Sequence, residues 1–236
     1  MHATAILREI LTTELKFLAF QRIKPDFRRY GNHYLAFGLV STWLAGVGRY
    51  WDNPRAELWQ YAGLGSLAYV LVLSLVLYLL LKPLSPENWH YKSILIFVGM
   101  TSPPAILYAI PVERFLTIET AQMANVWFLA IVAIWRVALL FLYLRRSAKL
   151  SGLTVVVAAL LPLVIIVSLL ALLNLEHVVF NIMAGLGQGE GSSNDAAYGV
   201  LVLITTLSLL ASPVLLTCYL VIAYQKWKSV RSRSDP

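Results

Sequence analysis

A chain of 236 residues with 59% hydrophobic and only 13% charged side chains is excluded from the ordinary soluble domains, which carry about 25% charge. Apolar runs of some 20 residues recur along it, the length that crosses a hydrocarbon core about 30 Å thick, so the expectation is a polytopic helical membrane protein. The net charge of +7 sits in short connections rather than in one basic domain, which argues against nucleic acid, and the lone Cys218 leaves the chain no intramolecular disulfide.

The first 33 residues precede any spanning run. Ile6, Leu7, Ile10, Leu11, Leu15, Phe17 and Leu18 share one half of a helical wheel, with Arg8, Glu9, Thr12, Thr13 and Lys16 on the other. That pattern predicts an amphipathic helix lying in the membrane interface. A cleaved signal peptide is not expected, because no compact apolar core follows a basic start and no small-residue cleavage site appears. Arg22, Lys24, Arg28 and Arg29 then form a juxtamembrane cluster suited to anionic headgroups, with a positive-inside anchor as the simplest reading.

Six apolar runs follow, at about 34–50, 60–81, 93–111, 123–144, 152–174 and 197–224. Gly38, Ser41, Ala45 and Gly48 give the first a small-residue face, and Ala62, Gly63, Gly65 and Ser66 open the second, both suited to close helix packing. The N-terminal region, the 82–92 and 145–151 loops and the C-terminal tail hold 15 Lys and Arg against five acids. The opposite loops hold three Arg against seven acids. This asymmetry places both termini in the cytoplasm of a six-helix protein. The longest connection, 175–196, has an apolar first half and a Gly-, Ser- and acid-rich second half expected to be mobile. The expected organisation is all-α: a leader over 1–33, one six-helix transmembrane domain over 34–224, and a basic tail over 225–236.

Two features could carry chemistry in the membrane. Arg136 lies within the fourth run, where a guanidinium is costly and asks for a partner; Trp135 is beside it. It stands nine residues before Arg145, roughly 13 Å along a helix, so snorkelling to the cytoplasmic face competes with an anion or lipid-headgroup contact. Prolines are the other feature: Pro103 and Pro104 in the third run, Pro162 in the fifth and Pro213 in the sixth. Each removes a backbone donor, leaving the carbonyls of Gly99, Met100, Ala158 and Leu209 short of a partner. Hydroxyls of Thr101, Ser102, Thr205, Thr206, Ser208 and Ser212 are near enough in sequence to help. Kinked packing is one outcome. A midplane site of the kind transporters build from broken helices is the other, made of Thr101, Ser102, Pro103, Pro104, Pro213 and Arg136.

No catalytic spacing is present. Glu176 and His177 are the nearest thing to an acid–base dyad, but neighbouring helical residues diverge by about 100° and cannot converge on one atom. His2, His33 and His90 are scattered, so neither a metal site nor a cofactor is expected. The plan of a short cytoplasmic leader, closely spaced helices and almost no soluble mass resembles the Yip1-type integral membrane proteins. Their eukaryotic leader motif, Asp-Leu-Tyr-Gly-Pro, is absent, and Arg29-Tyr30-Gly31-Asn32 is its faint echo. The resemblance implies a non-enzymatic scaffold, adaptor or envelope factor of the bacterial cytoplasmic membrane, working through lipid contacts, other membrane proteins or a second copy. A small transporter, channel subunit or lipid translocator with a site near Arg136 is the alternative.

Overall fold

Helix is the only regular structure among the described residues of the computed structural model, which are 2–23, 27–51, 56–175 and 195–234. The helices are α1 (His2–Leu18), α2 (Phe27–Tyr50), α3 (Leu58–Tyr61), α4 (Leu64–Leu81), α5 (Tyr91–Met100), α6 (Ile118–Arg146), α7 (Leu153–Leu172) and α8 (Asp195–Ser234). Short 3-10 segments lie at Lys82–Leu84, Pro103–Ala109 and Val112–Arg114.

Four helical stretches are long and apolar enough to cross a membrane: Leu64–Leu84, Met123–Arg146, Leu153–Leu172 and Gly199–Ser229. A fifth is counted if α5 and Pro103–Ala109, bent by 43°, form one span. The predicted run at 34–50 lies in α2, a continuous helix of 24 residues that falls outside this set. Arg29, His33 and Arg49, together with its four glycines, dilute its apolar character. Helix α8 continues into the basic tail read at 225–236 as far as Ser234.

The chain divides into two compact units: residues 1–78 with 88–111, and residues 79–87 with 112–236. In the first, α2 is the central element, packed by α1, α3, α5 and the 103–109 segment. Gly63 makes the turn between α3 and α4. Its φ of +66° suits glycine, and a Cβ there would lie 2.8 Å from the Trp43 carbonyl oxygen. Trp43 Nε1 donates to the Ala62 carbonyl at 2.9 Å, pinning that turn to α2. On α4, Tyr78 meets the Tyr91 ring edge-on, and its carbonyl accepts from Trp89 Nε1 at 3.1 Å.

In the second unit, α7 packs against both α6 and α8. Tyr219 of α8 donates its hydroxyl to the Leu80 carbonyl at 2.8 Å. The α7 end is closed by Asn174 at φ 52°, with the Asn174 N–H bonded to Ala171 and the Leu175 N–H to Leu170. Asparagine tolerates that left-handed position better than most residues. Leu203, Leu207, Leu210 and Val214 on α8, like Ile131 and Ile134 on α6, remain exposed as an apolar surface of the kind lipid covers.

Candidate functional site

The interruption at Pro103–Pro104 is the most polar place in the apolar part of the first unit. Helical N–H groups at 103 and 104 would have bonded the Gly99 and Met100 carbonyls, and proline has none to give. The helix therefore stops. Ser102 N–H takes the Gly99 carbonyl at 3.0 Å, and the Thr101 N–H is shared between the Phe97 and Val98 carbonyls at 3.2 Å. Thr101 Oγ1 donates to the Val98 carbonyl at 2.7 Å. Across the interface, Thr42 Oγ1 donates to the Gly38 carbonyl at 2.8 Å and lies 2.7 Å from Ser102 Oγ. A hydroxyl has one proton, and Thr42 gives its own to Gly38, so Ser102 donates to Thr42. Thr42, Thr101 and Ser102 are all buried.

Backbone contact seals the same place. A Cβ on Gly38 would lie 3.1 Å from the Gly99 backbone, and one on Gly99 would lie 3.0 Å from Gly38 Cα. Past the break, Gly48 admits Ala109 and Trp51 Nε1 donates to the Ala109 carbonyl at 3.0 Å. Arg49 stands over the Tyr108 ring at 5.2 Å. The small-residue face read from Gly38 and Gly48 is thus the surface on which the interrupted segment lies.

Thr101, Ser102, Pro103 and Pro104 belong to the first unit, whereas Arg136, Trp135 and Pro213 belong to the second. Arg136 and Trp135 are half-buried on α6, and neither lacks an interaction partner. Tyr219, also in the second unit, gives its hydroxyl to the Leu80 carbonyl. Pro213 does not break α8. Its missing N–H is answered locally: Ser212 Oγ donates to the Leu209 carbonyl at 3.0 Å, and Thr217 Oγ1 donates to the Pro213 carbonyl at 2.7 Å. Ser168 Oγ and Thr205 Oγ1 in α7 and α8 are buried without a hydrogen-bond partner.

Sequence reasoning passed over Glu14. It counted this residue only as a cytoplasmic acid, yet the carboxyl is 3% exposed and neither oxygen has a hydrogen-bond partner. Burial alone pushes its pKa from the usual 4.5 up to about 8. The signal was in the wheel: at 100° per residue, Glu14 falls in the middle of the apolar half defined by Ile6, Leu7, Ile10, Leu11, Phe17 and Leu18.

Glu176 and His177, with the rest of the predicted outer segment to residue 194, lie outside the described residues. Among the described residues, no group of three or more His, Cys, Asp or Glu comes together as a metal site would require. No protein-family model, curated protein sequence or solved structure matches the chain.

Proposed function

We propose that this protein is a non-enzymatic organiser of the bacterial cytoplasmic membrane, a scaffold, adaptor or envelope factor with a Yip1-like layout. In this reading α2 is the first of six spans and the bent pair of α5 and Pro103–Ala109 is the third. Both termini are cytoplasmic, α1 lies along the interface, and Arg22, Lys24, Arg28 and Arg29 meet anionic headgroups. The protein acts through lipid and through other membrane proteins or a second copy of itself.

The observation that carries this reading is the closure of the proline break. A transporter that uses a broken helix turns its freed carbonyls and hydroxyls toward a ligand. Here Thr42, Thr101 and Ser102 are bonded within their own unit, and Gly38 and Gly99 bring two backbones into contact. These hydroxyls and the Gly99 carbonyl are engaged with the chain itself.

Reconstitution into liposomes tests this. Ion flux and lipid scrambling are expected to match empty vesicles for the parent protein, Arg136→Leu and Pro103→Ala alike. Flux above that level, lost in both variants at normal expression, would move the assignment to a small transporter, channel subunit or lipid translocator.

A further inference from the structure

Helix α1 presents two apolar surfaces rather than one. Ile10, with Ile6 and Phe17 partly buried beside it, packs in a cluster completed by Tyr34 of α2 and Ile96 and Met100 of α5, and Thr13 and Glu14 on the same helix are buried as well. Tyr34 donates to Thr13 Oγ1 at 3.2 Å, and the Phe17 ring meets Phe97 edge-on at 6.0 Å. Leu7, Leu11 and Leu15, one turn apart, are exposed on the adjacent side, with Arg8, Glu9, Thr12 and Lys16 beyond them. Glu14 falls on the border between the two apolar surfaces. A full turn of solvated polar side would have cost nothing, yet the acid is enclosed.

A carboxylate placed there has nothing to offset its lost hydration, so the group is enclosed as the neutral acid. Among the described side chains, these charged and titratable groups on the packed elements are occupied or turned outward. On α2, Arg29 is exposed and lies over the Tyr30 ring at 5.1 Å, His33 is exposed, and Tyr34 is committed to Thr13. At α5, His90 is exposed, Tyr91 donates to Leu71, and Lys92 donates to Asn32 Oδ1 at 2.6 Å. On α1 itself, Arg8, Glu9 and Lys16 are exposed. None of them bonds to Glu14.

We propose that Glu14 is a proton-operated latch: as the neutral acid it lets α1 dock on α2 and α5, and loss of its proton to water releases the helix. The sign follows from linkage. The docked helix holds the proton more tightly than the released helix, whose carboxyl returns toward 4.5, so docking is strongest at low pH. It weakens as pH rises from about 4.5 to about 8, by at most tenfold per unit, and is constant above that. The latch is independent of whether the protein organises a membrane or moves a cargo.

The test uses the full chain in phosphatidylcholine nanodiscs, with Cys218→Ala, and spin labels at Leu15→Cys on α1 and Ala36→Cys on α2, both exposed positions. A single short distance is expected at pH 5, with a longer population growing as the pH rises toward 8 and steady above it. Glu14→Gln and Glu14→Leu are expected to hold the short distance at every pH. A parent distance unchanged from pH 5 to 10, or variants that shift as the parent does, would overturn the proposal. Infrared spectra of carboxyl-labelled glutamate give a second reading that needs no folded variant for its sign. A protonated carboxyl band should persist at pH 6 and fade as the pH rises through about 8, and its absence at pH 6 would equally sink the latch.

Discussion

At Pro103–Pro104, in the first unit, the helix stops and the chain departs at 43°; at Pro213, in the second, α8 runs on without a break. Pro162 is likewise carried inside α7. The difference is not proline content alone. One proline removes one donor, and a hydroxyl one residue away can cover the carbonyl left open, as Ser212 does for Leu209. Two in succession remove two donors and press two rings on the preceding turn, which a helix does not absorb. Surroundings matter as much. Ile94 to Ser102 is buried without exception, whereas only 6% of the most apolar stretch of α8 is buried. The broken stretch is held by packing from α2. The unbroken one keeps its own ladder and packs on α7.

The largest effect that separates these regions should come from glycine. Gly99→Ala would set a Cβ against the Gly38 backbone, where relief requires a helix to move, and overpacking of this kind costs about 1–3 kcal/mol. Gly199→Ala, in α8, meets nothing within 4 Å and should instead stabilise by roughly 0.5–1 kcal/mol through backbone entropy. Opposite signs in thermal unfolding in a mild detergent are expected. If Gly99→Ala left the melting temperature unchanged, the close approach of α2 and α5 would not be a tight one.

Next in size is the hydroxyl chain from Ser102 through Thr42 to Gly38. Thr42→Val keeps the shape but strips Ser102 of its acceptor, leaving a buried donor unmet, at about 1–3 kcal/mol. Ser102→Ala removes only a donor to Thr42, whose own proton still goes to Gly38, and should cost less. The order of the two variants, measured by the same unfolding assay, reports the direction of the bond. A larger loss in Ser102→Ala would reverse it.

What could be read from sequence followed the length scale of the interaction. Helices and apolar runs come from local pattern, and four helical stretches long and apolar enough to span appear where the runs at 60–81, 123–144, 152–174 and 197–224 placed them. The interruption at Thr101–Pro104 was legible for the same reason, since missing donors are a property of two adjacent residues. The partner of that interruption was not. Gly38 was visible as a small residue, but its opposition to Gly99, and the choice of Thr42 to receive Ser102, depend on rotation about two helix axes. Glu14 shows the other limit. The wheel placed it among apolar residues, yet charge alone assigned it to solvent, and only the packed position of α1 shows it buried.

The smallest effect lies at Pro213, and it tests whether a local hydroxyl substitutes for the missing ladder bond. Ser212→Ala should open the Leu209 carbonyl that Ser212 now covers. Hydrogen bonds of side chains in membrane proteins average about 0.6 kcal/mol, and this one spans three residues of a single helix, so no packing is lost with it. A loss of a few tenths to about 0.6 kcal/mol is expected. Pro213→Ala returns an N–H that can take the same carbonyl, so in that background Ser212→Ala should cost nothing. The double-mutant cycle therefore has a coupling term equal to the single loss. Additivity of the two substitutions would mean that the Leu209 carbonyl is served by something other than Ser212, and the contrast with the break at Pro103–Pro104 would then rest on burial alone.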